Sequence, residues 1–151
     1  MTVWRLSLAK YAGDIYSGQG AKLHGGRWSP PGMSVAYSAE SRSLALVEVL
    51  AGTDDAERLF QREWVLVPAE VPAEAIEKPA RFPDTWRQYP HSPDTQAFGA
   101  AWVQARRSVA LRVPSVVVPG EFNFLLNPQH PGFKHVKIGK PEPFSFDPRL
   151  S

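Results

Sequence analysis

Ser41-Arg42-Ser43-Leu44-Ala45-Leu46-Val47-Glu48-Val49-Leu50-Ala51-Gly52 is the stretch around which the rest of the chain can be ordered. A serine opens it in the position of an N-cap, where its hydroxyl can take an orphan backbone N–H. A glycine closes it where helices commonly end. Between these caps the side chains are apolar on nearly every side, the pattern of a buried helix. Glu48 breaks that pattern. An ionised carboxylate is costly to bury unless it is paired or hydrogen-bonded. Glu48 is therefore either a functional acid or half of a structural ion pair with a buried arginine such as Arg5 or Arg27.

Upstream of this helix, Val3 to Leu6 is strand material. Gly13 to Gly26 holds Gly18, Gly20, Gly25 and Gly26 and has no strong period, which predicts an ordered loop. The turn signal Pro30-Pro31-Gly32 sets off a short strand over Ser34 to Ser38. Downstream, Gln61 to Val67 reads as a strand. Pro68 to Pro90 is proline-rich and irregular, with a short strand near Ile76. Ser92-Pro93-Asp94 starts a helix that runs to about Arg106, with proline at the first helical position. Val109 to Val118 is strand material interrupted by Pro114, and Phe133 to Ile138 alternates like a further strand. There are 15 prolines, which limit the helical content. The expected fold is α/β (α+β): one compact domain over residues 1–151, with a small mixed sheet and a few helices.

Charge and composition narrow the function. Lys and Arg number 17 against 15 Asp and Glu, and the longest basic run is Arg106-Arg107, so a nucleic-acid interface has little electrostatic support. The five tryptophans are accordingly read as core rather than as base-stacking platforms. Cysteine is absent, which removes disulfide and thiolate chemistry and fits a reducing compartment. Met1 to Arg5 lacks the start of a signal peptide, and no apolar run approaches the ~20 residues of a membrane span. The cytoplasm is the expected location. Self-association is left open.

Arg27 follows Gly25-Gly26 and precedes Trp28. Its planar fork could meet a phosphate or carboxylate, or it could be an ordinary loop arginine stacked on Trp28. Ser115 follows Pro114 between two valine-rich segments, where it could bond a ligand or satisfy backbone at a kink. It lies outside any Gly-x-Ser-x-Gly setting, so a nucleophile has no support. Asn123 and Asn127 flank Phe124-Leu125-Leu126 and are read as turn residues. His24, His91, His130 and His135 show no metal-ligand spacing. Gly18-Gln19-Gly20 lacks the remainder of a dinucleotide fingerprint, so any NAD is held in another manner.

Taken in order, several of these segments resemble the RES-domain family of bacterial toxins, named for an Arg, a Glu and a Ser. They are Trp4-Arg5-Leu6, Ser17 to Ala21 with Gly25-Gly26-Arg27-Trp28, Val35 to Ala39, Leu44 to Glu48, Leu111 to Ser115, Glu121 to Pro128, and Phe146 to Leu150. The resemblance spans nearly the whole chain and is least distinctive over Val67 to Pro93. It implies a compact fold similar to ADP-ribosyltransferases of the diphtheria-toxin type. It also implies NAD as substrate, with loss of nicotinamide and passage of ADP-ribose to water, inorganic phosphate or a protein. No metal or resident cofactor is implied. The implied partner is an Xre-type helix-turn-helix antitoxin that blocks the active site.

Residue by residue, the resemblance assigns Arg27, Glu48 and Ser115 to the naming triad and Tyr37 to the active-site tyrosine. Arg5 and Asn123 fall in matching motifs and are expected to touch NAD. On this reading Glu48 stabilises positive charge on the ribose. Arg27 takes the pyrophosphate, Tyr37 flanks the nicotinamide, and Ser115 bonds the ligand or orients Glu48. Two other readings stay open. One is a toxin that ADP-ribosylates a specific protein. The other is a binding module without catalysis, in which Arg27 and Glu48 form a buried ion pair.

Overall fold

Thr2–Leu8 forms strand β1, a central member of a mixed sheet. The computed structural model describes residues 1–150. Seven further strands complete the sheet: β2 (Ala36–Ala39), β3 (Trp64–Glu70), β4 (Ile76–Glu77), β5 (Ala110–Pro114), β6 (Phe122–Leu126), β7 (Lys137–Ile138) and β8 (Glu142–Phe144). Their order is β4-β5-β6-β2-β1-β3-β7, and β8 also pairs with β3. Pairing is antiparallel except between β4 and β5. β1 and β3 stay in register from Thr2 opposite Glu70 to Leu8 opposite Trp64. β1 meets β2 only at Trp4 opposite Ala39.

Both faces of this sheet are covered, so alternate strand residues enter different cores. On β3, Val65, Val67 and Ala69 join Val3, Phe124 and Leu126 on one face. Leu66 joins Leu6, Ala39, Leu44 and Ala45 under helix α2 (Arg42–Ala51). Leu111, Val113 and Leu125 pack with Trp28 and Trp102 under helix α4 (Pro93–Ala105). The two helices thus divide the second face of the sheet between them.

Both long helices start as their sequences predict. Ser41 Oγ accepts from Leu44 N at 3.0 Å, and the Gly52 N–H closes α2 on Glu48 O at 3.1 Å. Ser92 caps α4 ahead of Pro93. The burial of α2 differs from expectation. Only Leu44 and Ala45 are buried, while Leu46, Val47, Val49 and Leu50 are half-buried. The helix lies against β1 and β2 along one side, and its apolar far side is left partly open.

Other differences have local causes. The glycine-rich stretch contains helix α1 (Gln19–His24), after a 3-10 segment at Ala9–Asp14. Gly18 and Gly25 sit at its ends with φ of 75° and 71°, so these glycines terminate a helix rather than loosen a loop. Helix α3 (Ala56–Gln61) precedes β3, which begins later than expected and runs through Pro68. The Val109–Val118 strand stops at Pro114. Phe133 to His135 belongs to a 3-10 turn (Pro131–His135), because Pro131 and the His130 ring, which accepts from Gly132 N at 2.8 Å, cap its start, and the expected strand is confined to Lys137–Ile138. The segment read as turn-flanked, Phe122–Leu126, is the strand joining β5 to β2. Among the described residues, no helix is long and apolar enough to cross a membrane.

Candidate active site

Two adjoining cavities, about 170 and 590 Å³, open between α2 and the β2–β6 part of the sheet. Both are walled by Tyr37, Glu48 and Asn123. Arg5 reaches the smaller one and Arg27 the larger one. The larger lies in the size range of small-molecule sites.

Glu48 sits near the end of α2, where the helix passes over β6 and the segment after β5. Its Oε1 accepts two hydrogen bonds, from Ser115 Oγ at 2.7 Å and Asn123 Nδ2 at 2.8 Å. Oε2 accepts none among the described residues, so one oxygen is anchored and the other is left for a ligand. The ion pair considered for Glu48 does not form: among the described residues its partners are neutral groups.

Ser115 is 1% exposed. Its Oγ accepts from Val118 N at 3.0 Å and gives its hydrogen to Glu48. That geometry corresponds to the orienting role considered for Ser115, and a ligand-bonding role has no free hydrogen to use. Asn123, read from sequence as a turn residue, is instead the inward side chain of β6, paired with Ala39 on β2. This is a correction with a clear cause: asparagine is poor strand material, and only the neighbouring strands hold it extended.

Arg5 is the site's least compensated charge. Its Nη1 donates to Tyr37 O at 2.8 Å, across the place where β1 and β2 stop pairing. Its Nε is buried with no partner, and no carboxylate pairs with it among the described residues. Burial pushes the guanidinium below the usual arginine range, with Tyr16 and Tyr37 acting the other way. A buried cation without a counter-ion favours an anionic ligand.

Arg27 is neither a free fork nor a residue stacked on Trp28. Its Nη1 donates to Trp86 O at 2.9 Å and to Gln88 O at 2.7 Å. Desolvation lowers its pKa, while the charge of Glu48 and the Tyr37 phenol raise it. Arg27 therefore feels Glu48 through space without touching it. Its Nε and Nη2 donate to nothing among the described residues.

Tyr37 fixes the turn that carries Arg27. Its hydroxyl accepts from Trp28 N at 3.2 Å and shares a hydrogen with Ser29 Oγ at 2.7 Å. A Cβ on Gly26 would lie 2.6 Å from that hydroxyl, so the second glycine of the pair is a requirement of close approach. Burial pushes the Tyr37 phenol up, and its bonds to Ser29 and Trp28 pull it back. From the other side, α4 holds the same turn. Gln96 Nε2 donates to Gly26 O at 3.1 Å, and Gly99 lets the helix seat directly on Trp28 O. Sequence reasoning did not single out Gln96, Gly99 or the carbonyls of Trp86 and Gln88. They lie on an ordinary helix and in a proline-rich segment, and only the fold brings them to Arg27.

Five of the six residues expected at the site line the two cavities, and the sixth, Ser115, supports Glu48 from behind. The arrangement offers one anchored carboxylate between two guanidinium groups, in a partly apolar cleft. This suits a ligand that carries both negative charge and a centre of developing positive charge.

The RES domain family model matches residues 2–147. The chain is 38% identical to the "Prs ADP-ribosylating toxin" of Sphingobium sp. (strain YBL2), across 97% of this chain and 94% of that one. It is 35% identical to "Toxin Res" of Yersinia enterocolitica, across 99% of each chain. A chain from the crystal structure of the M. tuberculosis MbcT–MbcA toxin–antitoxin complex superposes with a TM-score of 0.75 over 95% of this chain and 84% of that one. At 22% identity that likeness speaks to fold alone. The family match and the relatives that span nearly the whole chain place it in the RES domain family of toxins.

Proposed function

We propose that this chain is the toxin of a toxin–antitoxin pair and that it destroys NAD by breaking the bond between nicotinamide and ribose. The observation that carries this reading is Glu48, anchored through Oε1 by Ser115 and Asn123 with Oε2 unengaged in the cleft. Nicotinamide leaves as a neutral ring and takes the bonding electron pair with it, so its departure needs no acid. Positive charge then develops at the ribose, and a fixed carboxylate stabilises it without reorganising. An acceptor oxygen closes the new bond: water yields ADP-ribose and releases a proton, and inorganic phosphate yields ADP-ribose phosphate. Arg27, through Nε and Nη2, and Arg5, through its unpartnered Nε, hold the pyrophosphate or an incoming phosphate. Tyr37 flanks the nicotinamide. The chemistry calls on no metal or resident cofactor, and the cytoplasm supplies the NAD.

The partner in this reading is an Xre-type antitoxin that covers the cleft. The fold shared with a chain of a toxin–antitoxin complex supports an antitoxin partner. A second reading, transfer of ADP-ribose to a specific protein, draws on the name of the Sphingobium relative. Incubating the purified protein with NAD, with and without phosphate, and identifying the products tests the proposal. Nicotinamide release together with free ADP-ribose or its phosphate is expected. A labelled protein band from lysate, with no bulk NAD loss, would favour the second reading. Glu48→Gln preserves both acceptor bonds but removes the charge, and should lower NAD loss on the order of 10²-fold or more.

A further inference from the structure

Tyr89 is 87% exposed, more than any other large apolar side chain among those described, and it lines the larger cavity together with Arg27 and Glu48. Its ring has no hydrogen bond and no ring contact among the described residues. The segment that presents it is nevertheless firmly fastened. Arg27 holds the carbonyls of Trp86 and Gln88, the latter next to Tyr89. Trp86 N and Gln88 N close turns on Pro83 O and Thr85 O at 3.0 Å each. Thr85 Oγ1 bonds both Ser92 Oγ at 2.8 Å and Asp94 Oδ2 at 2.9 Å at the start of α4. A large ring held in water on a pinned segment, at the mouth of a cleft, suits a flat partner.

We infer that Tyr89 is the stacking platform for the adenine of the substrate, and so a determinant of dinucleotide affinity. This rests on the NAD reading above. The links among these cavity groups support the assignment. Glu48 marks the reacting ribose. Arg27 stands within electrostatic reach of Glu48 on one side and is bonded to Gln88 on the other. Tyr89 follows Gln88. Substrate runs in the same order: nicotinamide riboside, pyrophosphate, adenosine. The exposed Val117 and its neighbour Val116 line the same cavity and add apolar surface for a base. Stacking on an aromatic side chain accepts any base, because each base offers a flat face, and it is lost when the ring is truncated to alanine.

The test is steady-state kinetics of the purified protein with NAD for wild type, Tyr89→Ala and Tyr89→Phe, with ADP-ribose and nicotinamide as inhibitors. Tyr89→Ala should raise KM about ten-fold and leave kcat within about two-fold, the pattern of lost uniform binding. Inhibition by ADP-ribose should weaken in parallel, inhibition by nicotinamide should stay the same, and Tyr89→Phe should restore both KM and ADP-ribose inhibition. An unchanged KM in Tyr89→Ala, or an equal loss in Tyr89→Phe, would overturn the inference. Weakened nicotinamide inhibition would move the ring to the other end of the substrate and overturn it as well. Failure of wild type to consume NAD would instead overturn the proposed function, and this inference with it.

Discussion

Ser115 Oγ and Glu48 Oε1 lie 2.7 Å apart although 67 residues separate them in sequence, and the hydroxyl has no other hydrogen to give. Ser115 is thus a positioning residue: it turns the carboxylate, and Val118 N in turn fixes the serine.

Replacing that serine separates its role from that of a ligand contact. Ser115→Ala should lower kcat for NAD by about 10- to 100-fold, since small misplacements of a catalytic group have effects of that order. KM should change little. Stability should fall by about 1 kcal/mol, because Val118 N loses its acceptor. A large rise in KM with kcat preserved would show that Ser115 binds substrate directly.

Arg27 bridges the carbonyls of Trp86 and Gln88 and, in the proposed function, also holds phosphate, a combination that a lysine cannot perform. An ammonium can reach one carbonyl of the 86–88 segment but cannot bridge both and still offer a second edge to phosphate. Arg27→Lys should reduce NAD turnover at least ten-fold, and amide exchange should quicken around Trp86 and Gln88. Turnover at the wild-type rate would remove Arg27 from the pyrophosphate, and unchanged exchange would remove it as the fastener of the segment.

The contact between Gly26 and Tyr37 predicts a coupled pair. Gly26→Ala drives a methyl toward the Tyr37 hydroxyl at 2.6 Å, and overpacking of this kind costs about 1–3 kcal/mol. The same substitution should be less destabilising in a Tyr37→Phe background, where the hydroxyl is gone. A double-mutant cycle by denaturant unfolding measures the difference. Strict additivity would mean that the turn relaxes without involving Tyr37.

Alkaline stability should depend on two buried phenols. Burial raises both Tyr16 and Tyr37 above the ordinary tyrosine value. In the unfolded chain they ionise near pH 10, so above that pH the folded state binds more protons than the unfolded one. Their contribution is therefore complete below about pH 10 and is lost as pH rises beyond it. Denaturant midpoints should hold steady to about pH 9.5 and then fall, and Tyr16→Phe should flatten that fall. A midpoint rising with pH through this window would contradict the sign.

Some of this protein is written in local sequence. Ser41 and Gly52 delimit α2, Ser92 and Pro93 start α4, and Val3 to Leu6 and Trp64 to Val67 lie within strands, because caps and β-branched residues act over a few neighbours. Glu48 stood out for the same reason, as a charge in an apolar helix. Other features depend on what the sheet brings together. Asn123 looks like a turn residue until β2 and β5 flank it. Gly18 and Gly25 suggest a loop until their positive φ values are seen to bracket α1. Arg27 reads as a phosphate fork or a loop arginine stacked on Trp28 until the carbonyls of Trp86 and Gln88 occupy one of its nitrogens. Periodicity and capping are properties of neighbours along the chain, so sequence alone delimited the two long helices and named the acid. The anchoring of Glu48 by residues 67 and 75 positions away, the uncompensated burial of Arg5 and the exposure of Tyr89 are properties of neighbours in space, and only the tertiary structure decided them.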